Sequence, residues 1–164
     1  SKVAFLPLGG SGKDWQQEGC AAYQQMVSRL RTAGEMAKQE GITIGIRTGM
    51  GAKFDKKLLK KVGSSQIKVY YNFQDAADHH RDICKELRKL GAQRIVQIHA
   101  SNTDSVNLQE DPEINLPKIR KTLDKMKWSG WLVVERSRDV KRVRDVKYNF
   151  GRNIAYLKQV FQEW

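Results

Sequence analysis

Apolar runs of strand length alternate with amphipathic stretches of helix length five times along this chain, and no low-complexity linker interrupts them. This alternation constrains the fold most, because strands that are each followed by a helix pair in parallel through right-handed crossovers. The spacing predicts strands over 3–8, 42–48, 67–72, 94–100 and 131–136, with helices near 15–39, 54–62, 75–90, 115–127 and 149–162. Gly41 and Gly91 mark helix ends just before strands, and Asp75 and Asn115 are read as caps at helix starts. At 164 residues, 40% of them hydrophobic, the chain suits one compact α/β domain with a proper core. No stretch approaches the roughly 20 consecutive apolar residues that cross a bilayer, so no membrane partner is expected. The opening SKVAFLPLGG is unlike a signal peptide. Cys20 and Cys84 match no metal-ligand spacing and suggest no disulfide scaffold, which leaves the compartment open.

Five units in this length ordinarily suit an open doubly wound sheet, since an eight-unit barrel needs about 250 residues. The side-chain phase along the strands argues otherwise. Residues alternate between faces, so Ile42, Ile44 and Ile46 oppose Thr43, Gly45 and Arg47, while Ile67, Val69 and Tyr71 oppose Lys68, Tyr70 and Asn72. By the same count Val96, Ile98 and Ala100 oppose Ile95, Gln97 and His99, and Leu132 and Val134 oppose Trp131, Val133 and Glu135. Four successive strands therefore end in a polar residue on their less aliphatic face: Arg47, Asn72, His99 and Glu135. A barrel explains this register, with aliphatic faces toward the outer helices and polar ends converging at the C-terminal mouth. In a doubly wound sheet both faces are covered, and Lys68 and Gln97 would be costly there.

The segments QIHASNTDSV, DKMKWSGWLVVERSRD and VKYNFGRNIAYLKQVF, preceded by FLPLGGSGKDW, resemble the C-terminal part of the sugar phosphate isomerase/epimerase proteins, whose fold is the xylose-isomerase-like TIM barrel. The resemblance spans nearly the whole chain and implies a partial (β/α) TIM barrel of about five parallel strand-helix units. It implies that the first three units are missing, so that the wall is completed by a second copy in a homo-oligomer or by a complementary barrel fragment, or else the chain forms a rearranged open sheet. It also implies aldose-ketose isomerisation or epimerisation of a sugar or sugar phosphate by proton transfer next to a carbonyl, with Glu135 as base and His99 as ligand or proton partner. The family holds a divalent cation with Glu, Asp, His and Glu from four consecutive strands. The matching positions here read Arg47, Asn72, His99 and Glu135, leaving His99 and Glu135 as a degenerate set for Mn or Mg. Replacing a carboxylate by a cation about 5 Å from the ion costs ~3 kcal/mol per unit pair at an effective dielectric near 20, so the expectation is no cofactor or a weakly bound one.

Arg47 can instead pair with Glu135 across the mouth, or hold an anionic ligand with the help of Lys68 or Arg138. Glu135 has Arg47 or Lys68 as expected partners. Asn72, Asn102 and Asp104 complete the candidate substrate contacts, the last two on the loop after His99, although such loops are also simply turns. The glycine-rich run at 8–14 fails as a phosphate loop because Pro7 and Asp14 stand where the motif needs Gly and Ser or Thr, which leaves a weak backbone contact at Ser11 and Gly12. His79 and His80 diverge by about 100° on a helix and make a poor metal pair. Cys20 and Cys84 are expected to pack inside helices, and Trp128 and Trp131 to cover a barrel end.

Charge adds a rival reading. The formal net charge is +12, and residues 118–152 carry twelve bases against four acids. Lys53, Lys56, Lys57, Lys60 and Lys61 form a second basic run, on a short helix whose Phe54, Leu58, Leu59 and Val62 face inward. No arginine-aromatic alternation of a single-strand platform is present, so nucleic-acid association ranks third, as nonspecific charge, behind the isomerase and behind a non-catalytic carbohydrate- or anion-binding scaffold.

Overall fold

A computed structural model of the chain describes residues 2–9, 15, 17–102 and 104–162. Five parallel strands, β1 (Val3–Pro7), β2 (Thr43–Arg47), β3 (Ile67–Asn72), β4 (Ile95–His99) and β5 (Trp131–Val133), lie side by side in chain order. The helices are α1 (Ala21–Gln39), α2 (Ala52–Val62), α3 (Phe73–Ala77), α4 (Ile83–Leu90), α5 (Leu116–Lys125) and α6 (Val146–Phe161). A doubly wound sheet would reverse its strand order partway, whereas consecutive order with a helix after every strand is the wall of a TIM barrel. The five-unit partial barrel expected from side-chain phase is the observed architecture.

The core lies between the aliphatic strand faces and the helices. Ile46, Ile67, Val69, Tyr71 and Ile98 meet Leu58 and Val62 of α2, Leu87 and Leu90 of α4, and Ile119 and Leu123 of α5 in one cluster. In α4 the buried Ile83, Cys84, Leu87 and Leu90 recur at helical spacing, so one stripe faces the sheet while Lys85, Arg88 and Lys89 stay in water.

Three local expectations are corrected. The helix expected over 75–90 is two helices. Asn72 caps α3 by accepting from the Gln74 amide, and Asp82 caps α4 by accepting from the Lys85 amide. Between them His80 takes a positive φ of 51° that no helix continues through. Second, Ile95 and Val96 exchange faces. The pairing shifts between Val69 and Tyr70, which oppose Ile95 and Gln97 respectively, so Val96 is the extra residue of a bulge. Ile95 thereby joins Ile98 in the core, and Val96 turns to the inner face beside Gly45. Third, β5 stops at Val133, because Ser137, at a positive φ of 77°, is drawn off by the amide of Asn102 and the side chains of Asn107 and Asn153.

Candidate active site

The inner face of the sheet is aromatic below its rim. Phe5 of β1 and Tyr70 of β3 have ring centroids 4.7 Å apart although β2 runs between them. They meet because the β2 residue paired with Phe5 is Gly45, where a Cβ would stand 3.1 Å from the Tyr70 side chain. The His99 ring lies 4.4 Å from Tyr70 and 5.3 Å from Phe5. These rings remove His99 from water, and its side chain is 8% exposed.

Above them the strand ends converge. Asn72 and His99 are directly paired residues of β3 and β4, with Asn72 Nδ2 3.5 Å from His99 Nδ1. Asn72 Oδ1 accepts from the Gln74 amide at 2.8 Å, which fixes the orientation of its side chain. Glu135 reaches over from just beyond β5, placing Oε2 3.2 Å from His99 Nδ1 while remaining 49% exposed. Burial lowers the His99 pKa more than the Glu135 charge raises it, so the imidazole is neutral near pH 7. A neutral ring facing a carboxylate is best satisfied with its proton on Nδ1, donated to Glu135, which leaves Nε2 as the basic nitrogen. Arg47 contributes at longer range, where its charge also disfavours the imidazolium.

Arg47 does not pair with Glu135, nor does Lys68. Asp75, expected as a helix cap, instead takes the Arg47 guanidinium in a two-bond fork, at 2.9 Å from Nε and 2.6 Å from Nη2. That ion pair raises the Arg47 pKa further. Asp75 lies one helical turn above Asn72, so α3 brings it back over the end of β2, a long-range closure with no local sequence signal. Lys68 stands apart from the rim. It precedes Asn72 by four residues, roughly 13 Å down the strand, and lines a cavity at the opposite end of the sheet.

Asp104 and Arg138 bond to each other, with Arg138 Nε 2.8 Å from Oδ1 and Nη2 2.6 Å from Oδ2, and Arg136 adds a second guanidinium 2.7 Å from Oδ2. The two arginines hold the Asp104 carboxyl down at about 2. Asn102 is buried, its Nδ2 donating to Asp111 and Glu113, while its Oδ1 has no hydrogen-bond partner among the described residues. Asn102, Asp104 and Arg138 thus tie the β4–α5 loop to the segment after β5.

Elsewhere, Cys20 is the cap of α1, its Sγ 3.3 Å from the Tyr23 amide, whereas Cys84 is buried as expected. His79 bonds the Asp75 carbonyl through Nδ1 at 2.8 Å. Trp128 donates Nε1–H to the Ile95 carbonyl at 3.0 Å, but Trp131 is 72% exposed. The expected contact at Ser11 and Gly12 lies outside the described residues. Of the twelve bases in 118–152, Lys118, Arg120, Arg136, Arg138 and Arg152 have carboxylate partners, which breaks up the basic stripe.

The donor set at the rim fits a divalent cation poorly. Glu135 and one imidazole converge there, Asn72 turns its amide nitrogen inward, and the nearby Asp75 carboxylate is already taken by Arg47. No group of three His, Cys, Asp or Glu side chains arranged for an ion is found among the described residues.

Parallel strands in consecutive order, each followed by a helix, with polar side chains gathered at their C-terminal ends, define a TIM-barrel wall with a candidate site at its mouth. The xylose isomerase-like TIM barrel family matches residues 2–160, and the chain belongs to that family. Its fold is shared with a sugar phosphate isomerase/epimerase from Parabacteroides distasonis at 15% identity and a TM-score of 0.73, over 96% of this chain and 59% of that one. The D-psicose 3-epimerase of Clostridium cellulolyticum, solved with D-tagatose, superposes at 14% identity and a TM-score of 0.70, over 85% of this chain and 55% of that one. A family 2 AP endonuclease from Brucella melitensis does so at 17% identity and a TM-score of 0.69, over 92% and 60%. The chain spans less than two thirds of each of these structures. No curated protein matches it.

Proposed function

We propose that this chain supplies the proton-transfer wall of a sugar isomerase or epimerase, acting next to the carbonyl of a sugar or sugar phosphate. The observation that carries the reading is the contact between His99 Nδ1 and Glu135 Oε2, 3.2 Å apart at the C-terminal rim. Glu135 takes the proton from the carbon beside the carbonyl, leaving an enediolate, and as the acid returns it to the former carbonyl carbon while the hydroxyl proton passes to the former carbonyl oxygen. His99, neutral and buried, holds Glu135 in place by donating its Nδ1 proton to a carboxyl oxygen. Asn72, on the neighbouring strand, stands beside the same ring nitrogen and limits reorientation of the imidazole. Arg138, partly exposed beside Asp104, lies on the segment above the rim where a phosphate would be met, and buried Asn102 holds the neighbouring loop in place. Closure of the wall, by a second copy or a complementary strand-helix fragment, excludes water from the site.

The D-psicose 3-epimerase neighbour, solved with D-tagatose, makes these two ketohexoses the first substrates to try. Incubated with the chain in D2O, either sugar is expected to exchange the hydrogen beside its carbonyl, followed by proton NMR. Glu135→Gln is expected to slow exchange by 10²-fold or more. Exchange no faster than in buffer would remove the catalytic reading for this chain.

A second reading, a non-catalytic carbohydrate- or anion-binding scaffold, is favoured by the Arg47–Asp75 ion pair, which fills the rim with a neutralised pair. Calorimetric titration with Mn is expected to give no saturable heat at micromolar metal. Saturable heat that Glu135→Gln abolishes would return the site to metal-assisted chemistry.

A further inference from the structure

At the opposite end of the sheet from His99 and Glu135 lies a second cavity of about 580 Å3, between α2, the start of β3 and the turn that leads into β4. Lys56 and Lys60 of α2, Lys68 of β3 and Arg94 of the turn line it, and no acidic residue does. Lys56 and Lys60 are four residues apart on a helix, so their ammonium groups rise from one face. Among the described residues none of the three lysines has an ion-pair partner, although Lys57 on the same helix is paired with Glu18 at 2.8 Å.

The remaining lining suits an anion as well. Arg94 is anchored by one nitrogen, Nη1, 2.9 Å from the Leu90 carbonyl, which leaves its other N–H groups to donate. Buried Leu59 and Ile67 form an apolar floor beneath the charges. Four cations around one concave space repel one another until a multiply charged anion sits between them.

We propose that this cavity binds a polyphosphate or phosphate-ester anion through Lys56, Lys60, Lys68 and Arg94. The site is separate from the rim and does not depend on the reaction proposed there.

Inorganic tripolyphosphate titrated calorimetrically into the chain at low salt tests it. The expected result is saturable binding at one site, weakened at least fivefold by Lys56→Gln with Lys60→Gln and further by adding Lys68→Gln. The control removes the same charge from the same spacing on another helix: Lys121→Gln with Lys125→Gln, both exposed on α5, is expected to weaken binding less than twofold. Because both pairs lie on exposed helix faces, folding is preserved and is checked by circular dichroism. Equal losses from the two pairs would make the effect one of bulk charge, and absence of saturable binding by the unaltered chain at millimolar tripolyphosphate would refute the site outright.

Discussion

Asp55 is a carboxyl with little access to water, 5% exposed behind the ends of β2 and β3, and its Oδ1 accepts from the Thr48 hydroxyl. Burial raises its pKa to about 7 against the opposing effect of that hydrogen bond, with Glu86 and Asp75 pushing the same way and Arg81 pulling back. A folded-state pKa above the unfolded value means that the native state holds a proton the unfolded state has released. Stability from this group is therefore full below about pH 4 and is lost as pH rises toward 7, by on the order of a few kcal/mol. The thermal midpoint of Asp55→Asn, which keeps a hydrogen-bonding group toward Thr48, is expected to exceed that of the unaltered protein at pH 8 and to approach it at pH 5. Parallel pH profiles for the two proteins would contradict this. Asp104 has the opposite sign. Held down at about 2 by Arg138 and Arg136, it contributes stability that is present above its ordinary value near 4 and disappears as acid protonates it. Asp104→Asn is expected to flatten the acid limb of the same profile below pH 4, measured by the same melts. The surroundings of neither carboxyl could be read along the chain, although Asp104 stood out as a candidate contact. Asp55 is one more acid on a lysine-rich helix until packing turns it inward, and the two guanidinium partners of Asp104 lie 32 and 34 residues away.

Elements differ in how far their sequences announce them. β3 runs over Ile67–Asn72 as its alternation requires, because every second side chain enters the core and a slip of one residue would expose them all. The α3–α4 break is hidden, because Ala76, Ala77, Ile83 and Cys84 keep a helical spacing across it. The break is enforced from outside: Arg81 donates to the carbonyls of Gly49 and Asp75, pinning the chain where a helix would pass, and Asp82 then starts α4 anew. Asp82→Ala removes that cap and is expected to cost about 1 kcal/mol in urea unfolding, with an unchanged m-value. The bulge in β4 is equally silent, since Ile95 and Val96 are both apolar and either can face the core. Polar strand ends are more informative, and the phase that put Arg47, Asn72, His99 and Glu135 on one face could be read from alternation alone. What alternation could not supply was the pairing among them, which depends on α3 returning Asp75 to Arg47. The inner wall depends on β2 in a similar way. Gly45→Val would drive methyl groups into Tyr70 and Val96, with an expected loss of about 1–3 kcal/mol and displacement of the rings that shield His99, visible as a rise in the His99 pKa by NMR.

At the scale of the chain, a high positive charge is combined with a wall of five strands. β1 and β5 each pair on one side alone among the described residues, and the inner and outer groups near them, Phe5, Leu6 and Trp131, are left in water. Since all five strands run parallel, pairing of the β1 edge of one copy with the β5 edge of another would need no reversal of direction and would bury these residues. Opposing this is the net charge of +12, whose repulsion between copies reaches about 30 Å at 0.01 M salt but only about 8 Å at 0.15 M. Association driven by apolar edges is therefore expected to strengthen as salt is added, while any retention of DNA by the same charges weakens between 50 and 200 mM. Sedimentation equilibrium at micromolar protein is expected to move from a monomer mass at low salt toward higher mass at physiological salt. Trp131→Lys, which places a charge on the β5 edge without touching the core, is expected to hold the protein at the monomer mass in both conditions. A monomer at every salt concentration would leave the open wall without a partner of its own kind, and a variant that assembles as readily as the unaltered chain would move the contact away from β5.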